Sequence, residues 1–454
     1  MSARARALGS RIWLVVAVAY LCVTFLAIRA PETALQSIVP PAPIDLLAFY
    51  CAGKVARTGA DPYLSEPLRT CEHEAFTERT GHVSRYPDLV VPAPLPPYVL
   101  VLLEPLGAVP FGLARAFFCA TVVAAAFALV AALTALAGRY ALIFALGVAA
   151  SVLLPALQLG QIASLAIAAL ALAAWAARAG RIGAASCAGA FTLIEPHLGL
   201  PTVAAMFLCI PRSRRTLAAL CAGVALLTLT GGLERNLEYL SRVVPAQARA
   251  EGTEFTGQYS LAALLAHLGV PDALALAAGS ASYAFMLIAG SAVAFYAQRK
   301  TGDVAFGVAV APAFTLLGGT YVHIHNMAAG LPLAAALLGS GRRALVPALA
   351  AFGLLVPWDI VEKTGVLSWY TALPPHDAHA ALAEVAGPER LAEDVWGVWV
   401  RSDPNGNRPA AELLLFKVPT WLSLIALCGS SLRVALSAPT ATPPSAARSL
   451  PERR

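Results

Sequence analysis

Asp45 stands out in a chain whose long stretches consist mainly of Ala, Leu and Val. It follows Pro41 and Pro43, shortly after an apolar segment that is long enough to cross a membrane. An Asp at the start of a helix often acts as a cap by accepting amide hydrogen bonds. A carboxylate beside a membrane surface is also partly desolvated, which raises its pKa toward the range of a general base. The sequence leaves both roles open.

Other polar residues are concentrated in short turns between apolar segments. They are Gln158 and Gln161 in QLGQIAS, Glu195 and His197 in IEPHLGLP, and His323, His325 and Asn326 in GTYVHIHN. An imidazole or its cation can hold a phosphate, whereas Gln and Asn can hold sugar hydroxyls. One His near a helix end is usually structural, but several such turns on one face predict a shared binding site.

Three arginines, Arg235, Arg242 and Arg249, recur every seven residues after an apolar segment. If this stretch is helical as far as Pro245, Arg235 and Arg242 share one face of the helix. That face could clamp a phosphate, or it could be a solvated face paired with acidic residues such as Glu238. Arg242 is kept as a candidate phosphate ligand.

The composition indicates a polytopic membrane protein. Of the 454 residues, 58% are hydrophobic and 13% are charged, whereas soluble domains have about a quarter charged. The net charge of +6 comes from short basic clusters between apolar segments, which is how topology signals are distributed. No basic-aromatic patch, zinc-finger spacing or Walker loop occurs, so membrane lipids are expected as partners and nucleic acid is not.

The basic clusters predict the topology if each lies in the cytoplasm, because an even number of crossings must then separate consecutive clusters. The N-terminal apolar segment lacks a cleavage site and is expected to stay as the first helix. Between Arg181 and Arg212 there is room only for two short or broken helices. The other predicted spans are 112–137, 141–157, 162–177, 216–232, 271–297, 303–319, 321–340, 344–358 and 411–432.

These segments predict an all-α membrane bundle of about twelve transmembrane helices, formed by a single domain over residues 1–437. Residues 438–454, rich in Pro, Ser and Arg, are expected to be a disordered cytoplasmic tail. The outer side receives 30–111, 233–270 and 359–410 together with the polar turns. The protein should therefore have one functional face.

Prolines interrupt the apolar stretch 95–118, which favours a broken helix lying on the membrane surface over a straight span. The aromatic residues Trp369, Trp396 and Trp399 could stack on a sugar acceptor, or they could anchor the chain at the membrane interface.

Cys51 and Cys71 share the first outer segment, where a disulfide and two free thiols are equally open. The other cysteines lie in apolar segments, where cysteine behaves as a small hydrophobic residue; they are Cys22, Cys119, Cys187, Cys209, Cys221 and Cys428. No cysteine or histidine spacing matches a zinc site, so neither a metal nor another cofactor is expected.

Taken in order, these motifs resemble glycosyltransferase family 87 of the GT-C superfamily, which includes mannosyltransferases that use polyprenyl-phosphate-mannose. The resemblance starts with Asp45, continues with Tyr50, Ala52 and Gly53, and includes DPY at 61–63 and LPPYVLVLLEPLGAVP. It ends with Gly160-Gln161, Glu195-Pro196, GQYS at 257–260 and TYVHIHN. The chain departs from the family pattern at Leu95, at Glu195, where the family has Lys, and at Tyr259.

The resemblance implies a GT-C bundle whose outer loops form the active site, with a polyprenyl-phosphate sugar donor and no required metal. It implies that Asp45 is the catalytic base, acting on the periplasmic side of the inner (plasma) membrane of the cell envelope. Gln161, His197, His323 and Arg242 are expected to bind the donor phosphate. Residues expected to bind substrate are Tyr50, Asp61, Tyr63, Glu195, Gln258, His325 and Asn326.

The sequence therefore predicts an inverting transfer of a hexose, mannose first, from this donor to a lipid or glycan acceptor. The alternative is a transporter or flippase for a lipid-linked saccharide, which would have ionisable residues at mid-span depth and symmetry between its halves. No such repeat is visible and mid-span acids are scarce. A membrane scaffold without catalytic activity is a third alternative, which the polar turns argue against.

Overall fold

A computed structural model describes residues 40–84, 86–138, 141–254, 257–340, 344–356, 378–385, 387–402 and 410–437. Across these ranges the chain is helical, and its β structure is limited to two isolated bridges, Leu64 with Leu391 and Gln258 with His323. The expected all-α class is confirmed. The predicted first span, residues 357–377, which include the first part of the predicted outer segment, and the C-terminal tail lie outside the described residues.

The helices are numbered in chain order. They are α1 Ile44–Arg57, α2 Ser65–Thr80, α3 Pro97–Gly107, α4 Phe111–Ala137, α5 Ala141–Val148, α6 Leu154–Leu159, α7 Ala163–Arg178, α8 Ile182–Phe191, α9 Pro196–Cys209, α10 Arg214–Thr230, α11 Leu233–Glu238, α12 Val244–Glu251, α13 Leu261–His267, α14 Asp272–Thr301, α15 Phe306–Thr315, α16 Ile324–Met327, α17 Leu331–Gly339, α18 Leu345–Leu355, α19 His379–Val385, α20 Ala392–Ser402 and α21 Ala410–Leu436.

Three of the described helices are long and apolar enough to cross a membrane alone, namely Phe111–Ala137, Asp272–Thr301 and Lys417–Leu436. A fourth span is formed if the pair Pro211–Thr230 and Leu233–Glu251, bent by 104°, counts as one. The other apolar helices have 10–17 residues. Length and composition thus support a membrane body, although they do not by themselves give twelve crossings.

Proline explains two irregular helices. A π-helical turn, Ala149–Leu153, lies just before Pro155, and a second, Tyr239–Val243, lies just before Pro245. Proline lacks an amide hydrogen and its ring collides with the carbonyl of the preceding turn, so a widened turn lets the helix continue. The arginine-bearing stretch is therefore helical as far as Pro245, as the sequence analysis supposed, and the helix continues beyond it to Glu251.

The two segments predicted to be broken are confirmed. Between Arg181 and Arg212 the chain forms α8, a short 3-10 turn and α9, and Glu195 occupies the sharp bend between the two helices. The stretch 95–118 forms α3, which starts at Pro97, and α4, which starts after Pro110. Both breaks bring polar residues to helix ends.

Residues near the predicted inner ends of several helices contact one another. At the predicted inner end, Arg178 donates to Asp303 from Nε at 3.0 Å and to the Leu136 carbonyl from Nη1 at 2.7 Å. Gln298 donates to the Cys209 carbonyl at 2.7 Å. At the other end, the segments predicted to lie outside contact one another.

A disulfide joins Cys51 of α1 to Cys71 of α2, with their Cα atoms 5.6 Å apart. Of the two alternatives that the sequence left open, the structure contains the bridge. Both cysteines are buried in helices rather than in a loop. The bridge closes a loop across 20 residues and fixes the helix that carries Asp45 to its neighbour.

Gly53 allows α1 and α3 to pack with their backbones in contact. A Cβ at Gly53 would lie 2.4 Å from the Leu103 carbonyl oxygen, which is closer than real Cβ atoms come. The Gly in the family-like motif of α1 thus has a packing role here. It holds α3 firmly against the helix that begins with Asp45.

Candidate active site

Asp45 lies in the first turn of α1, where it does not cap the helix. Pro43 is the N-cap residue, and no side chain caps the amides there. The Asp45 carboxylate instead accepts a short hydrogen bond at Oδ2 from the Nε2 amide of Gln161. Two of the predicted site residues, 116 positions apart in sequence, are thus in direct contact.

Gly160 is what brings Gln161 to Asp45. It ends α6 with a φ of +86°, a conformation that residues with a Cβ rarely adopt. A Cβ at this position would also lie 2.4 Å from the Leu46 Cβ. Only glycine lets this turn approach α1 so closely, and the next residue is then placed beside the Asp45 carboxylate.

His323 is held by groups from the outer loop. Its Nε2 lies 3.1 Å from Glu251 Oε2 and 3.2 Å from Gln258 Nε2, and its Nδ1 lies 3.3 Å from the Gly257 carbonyl oxygen. An ionised carboxylate accepts only, so the Nε2 proton of His323 is donated to Glu251. The ring is therefore fixed on both of its nitrogens.

Gln258 supports the contact between His323 and Glu251. Its side chain is fully buried, its Oε1 accepts from the Val322 amide at 2.8 Å, and its Nε2 donates to Glu251 Oε2 at 3.3 Å. The second Glu251 oxygen accepts a short hydrogen bond from the indole of Trp396 on α20. Gln258, predicted to bind substrate, thus organises the neighbours of His323.

The ionisable groups of this region influence one another. Burial raises the pKa of Asp45 to about 7, while the positive charge of His323 and the Gln161 hydrogen bond oppose the rise. Burial also raises the pKa of Glu195 to about 7, again opposed by His323 and increased by Asp45. Burial lowers the pKa of His323, but its bond to Glu251 and the surrounding carboxylates reverse this, so the pKa is raised. Asp45, Glu195, Glu251 and His323 form one electrostatic cluster.

Glu195 and His197 lie together at the bend between α8 and α9. His197 Nδ1 is 3.4 Å from Glu195 Oε2, whereas the buried Nε2 has no partner among the described residues. The Tyr283 hydroxyl donates to the His197 carbonyl at 3.0 Å, and the Tyr98 hydroxyl donates to the Leu193 carbonyl at 2.6 Å. These backbone contacts fix the bend, and the unpartnered nitrogen is available to a ligand.

The turn that carries His323 includes two more predicted site residues. The His325 ring stacks on the His323 ring with centroids 5.1 Å apart, and it lines a small cavity of about 30 Å³ with Ser151 and Thr420. The Thr420 hydroxyl has no described partner. Asn326 is buried and accepts from the His323 amide at 2.9 Å, forming a capping box. Asn326 therefore shapes the turn.

The side chains of Tyr50, Asp61 and Tyr63 make structural hydrogen bonds within the protein. The buried Tyr50 donates its hydroxyl to the Val109 carbonyl at 3.0 Å, and the buried Tyr63 donates to the Leu95 carbonyl at 2.7 Å. Asp61 Oδ1 accepts from the Tyr63 amide at 2.9 Å, which is the turn expected for the DPY sequence. These hydroxyls anchor α1 and the DPY turn to the ends of α3.

Arg242 lies on an exposed face, where its Nη1 is 2.5 Å from Glu238 Oε1 one helical turn earlier. This contact matches the alternative of a solvated, paired face. Arg235 donates to the Ala60 carbonyl at 3.3 Å and so braces the DPY turn. Neither contact supports a phosphate clamp on this helix.

Two important residues, Glu251 and Glu393, were not singled out by the sequence. Trp396 was, but its contact with Glu251 was not foreseen. Glu251 and Glu393 are buried, with 9% and 0% exposure. In the sequence they are ordinary acids in polar outer segments. Their burial depends on α12 packing against α20, which apolar periodicity does not report. Within the described residues no group of three or more His, Cys, Asp or Glu is arranged to hold a metal ion.

A helical, largely apolar body with buried carboxylates and a buried histidine clustered at one end has the features of a membrane enzyme. The model of glycosyltransferase family 87 matches residues 95–318, close to half of the chain. Residues 95–318 therefore belong to glycosyltransferase family 87, and the protein is a glycosyltransferase, which uses a sugar donor and an acceptor. No curated protein and no solved structure matches it.

The match contains Gln161, Glu195, His197 and Gln258. Asp45 precedes it, and His323 follows it.

Proposed function

We propose that the protein is an inverting glycosyltransferase that transfers a hexose from a polyprenyl-phosphate donor to a lipid or glycan acceptor. The observation that carries this is the Asp45 carboxylate, held by the Gln161 amide and electrostatically coupled to His323. The protein would be a multi-pass protein of the inner membrane, with about twelve crossings and this site on the outer side.

Asp45 would act as the general base. It accepts the proton of the acceptor hydroxyl while that oxygen attacks the anomeric carbon from the face opposite the leaving phosphate, which inverts the anomeric centre. A base works best with a pKa close to the operating pH, and burial brings the pKa of Asp45 to about 7. The Gln161 hydrogen bond fixes one carboxylate oxygen and so orients the group.

His323 would stabilise the departing phosphate. As the bond between the anomeric carbon and the phosphate oxygen breaks, negative charge develops on that oxygen, and a fixed imidazolium nearby lowers the barrier. The unpartnered His197 Nε2 offers a second nitrogen. Mannose is the first sugar to test, because the resembling enzymes include mannosyltransferases.

The base is tested with purified protein in detergent or nanodiscs, a radiolabelled polyprenyl-phosphate-hexose and a lipid extract as acceptor. Asp45→Asn keeps the size of the side chain and should reduce transfer about 10²–10⁴-fold. The matched control is Asp88→Asn, the same chemical change at a residue that pairs with Arg69. Transfer by folded Asp45→Asn at the wild-type rate would contradict the proposed mechanism.

The donor class needs a separate experiment. Lipids that copurify with the protein are identified by mass spectrometry, and transfer is compared between polyprenyl-phosphate-mannose and the nucleotide-linked sugar. Transfer from the lipid donor alone is expected. Transfer from the nucleotide sugar in the absence of polyprenyl phosphate would show that the donor class is wrong, while leaving the Asp45 mechanism open to its own test.

A further inference from the structure

We propose that Glu251 is a positioning residue of the transferase, which orients His323 and keeps it protonated for its role beside the donor phosphate. This inference rests on the function proposed above, but its central measurement does not require sugar transfer. Glu251 lies at the end of α12, and its carboxylate lies between a ring from the α16 turn and an indole from α20.

Both oxygens of the Glu251 carboxylate are engaged by neighbouring groups. Oε2 is 3.1 Å from His323 Nε2 and 3.3 Å from Gln258 Nε2, and Oε1 accepts from the Trp396 indole. An Asp or Glu that accepts several hydrogen bonds stays ionised even when it is buried. Because Glu251 is 9% exposed, its negative charge is poorly screened and acts mainly on the adjacent imidazole.

Other charged and titratable groups also face His323, and they must be separated from Glu251. They are Asp45 on α1, Glu195 and His197 at the bend before α9, Glu254 after α12, and Tyr321 and His325 on its own turn. The Glu251 carboxylate is in direct contact with the ring, with its Oε2 3.1 Å from His323 Nε2. Asp45 is held by Gln161, and Glu254 accepts from the Gly257 amide at 2.6 Å.

Trp396 makes the contact between Glu251 and His323 depend on the position of helix α20. Its indole can only donate, and a hydrogen bond to an ionised carboxylate is stronger than one to the neutral acid, so Trp396 favours the ionised form of Glu251. Helix α20 is joined to the DPY turn, since the Ala392 amide donates to the Tyr63 carbonyl at 2.9 Å. The carboxylate that holds His323 is thus fixed by a helix from the segment 359–410, which the sequence analysis assigned to the outer face.

The first test measures His323 directly. Protein labelled with ¹⁵N-histidine is reconstituted in nanodiscs and titrated by NMR, and the His323 signals are assigned by their loss in His323→Gln. Glu251→Gln keeps the side-chain shape but removes the charge that opposes desolvation of the imidazolium. The titration midpoint of His323 should therefore fall by more than about one pH unit, and Trp396→Phe should lower it less.

The matched control is Glu384→Gln, the same change at an exposed residue of α19 in the outer layer. Its His323 midpoint should equal that of the wild type. A midpoint in Glu251→Gln that also equals the wild-type value would overturn the inference, whatever the effect on transfer.

The second test uses a double-mutant cycle in the transfer assay. If Glu251 acts through His323, the double variant Glu251→Gln/His323→Gln should be no slower than His323→Gln alone. In Glu251→Gln the basic limb of the pH–rate profile should move to lower pH, because neutral His323 then forms sooner. Independent, multiplicative losses with an unmoved basic limb would mean that Glu251 has only a structural role.

The two proposals fail separately. If Asp45→Asn transfers sugar normally but the His323 midpoint falls in Glu251→Gln, then the base assignment fails and the positioning role stands. If Asp45→Asn is inactive and the His323 midpoint is the same in Glu251→Gln as in the wild type, then the base assignment stands and the positioning role fails.

Discussion

At Asp45 two opposing influences set the charge of the carboxylate. Burial favours the neutral acid, whereas the His323 charge and the Gln161 amide favour the anion. The outcome is a pKa of about 7, well above the ordinary value of 3.8. A carboxylate with this pKa is ionised at neutral pH in a large fraction of molecules and is also basic enough to take a proton in the transition state.

The first prediction concerns Gln161. In Gln161→Ala the hydrogen bond that lowers the pKa of Asp45 is lost, so that pKa should rise above its wild-type value of about 7. Because the base must be ionised, the acidic limb of the pH–rate profile should move to higher pH. The profile of kcat/KM is measured between pH 5 and 9, roughly two units on either side of that pKa.

An acidic limb that stays in place in Gln161→Ala would show that Gln161 does not control the ionisation of the catalytic group. A fall in rate that is equal at all pH values would assign Gln161 to ligand binding alone. Recovery of the wild-type maximum rate at high pH is the result that the contact with Asp45 predicts.

At the scale of elements, the close approach of the turn after α6 to α1 decides whether Gln161 reaches Asp45. Helix α1 is itself held by α3 through Gly53 and by α2 through the disulfide. The site therefore relies on close backbone packing more than on long side chains. Small changes in that packing should move the catalytic groups.

The second prediction is that Gly160→Ala lowers both stability and transfer. A residue with a Cβ in the left-handed region costs about 1–2 kcal/mol, and here the Cβ would also collide with Leu46 at 2.4 Å. Gly180→Ala is the matched control, because Gly180 has a φ of +73° but open space around it.

Thermal unfolding should show a larger loss for Gly160→Ala than for Gly180→Ala, and only the former should reduce transfer. Equal losses in stability with full activity in both variants would mean that the turn tolerates displacement. The difference between the two variants isolates the contact with α1 from the cost of the backbone conformation.

The third prediction concerns the docking of α20. Burial raises the pKa of Glu393 to about 8, and neither carboxylate oxygen has a partner among the described residues. The folded-state pKa lies above the ordinary value of 4.5, so the docked state binds more protons than the undocked state. The stability of the docked helix is thus full at low pH and is lost as pH rises through about 8.

Hydrogen exchange of the α20 amides should therefore accelerate between pH 6 and pH 9, beyond the intrinsic rise, by roughly tenfold or more. Glu393→Gln removes the ionisation and should abolish the excess, while Asp394→Asn on the same helix should retain it. An excess that persists in Glu393→Gln would place the responsible ionisation elsewhere. Since Trp396 lies on this helix, undocking should also weaken the hold on Glu251.

At the scale of the whole molecule, the sequence predicts the elements better than their contacts. Apolar runs and prolines identify α4, α14 and the broken pair α8 and α9 closely, because hydrophobic length and missing amides are local properties. The sequence placed Asp45 and Gln161 on the same face of the bundle, but it did not predict that they are in contact. This contact could not be predicted as a bond, because it depends on Gly160 meeting Leu46.

Other parts of the site required the three-dimensional structure for physical reasons. Tyr50 and Tyr63 match a family motif, but their hydroxyls are used by the Val109 and Leu95 carbonyls, which no sequence spacing reveals. The continuation of the helix through Pro245 depends on a π turn, and it delivers Glu251 to His323. A proline rule applied to the sequence alone ends that helix too early.

The last prediction tests the two-ended arrangement of the molecule. The basic clusters require Arg212 to lie in the cytoplasm and the first outer segment, including His82, to lie on the opposite side. Both residues are exposed, so a cysteine placed at either should react with a membrane-impermeant maleimide when it faces the reagent. In right-side-out vesicles, His82→Cys should react before lysis and Arg212→Cys only after it. The background protein carries Cys187→Ser, because Cys187 is an exposed free cysteine, and keeps the bridge between Cys51 and Cys71. Labelling of both positions from one side would contradict the topology and would put the Asp45 cluster in a different compartment from the one proposed.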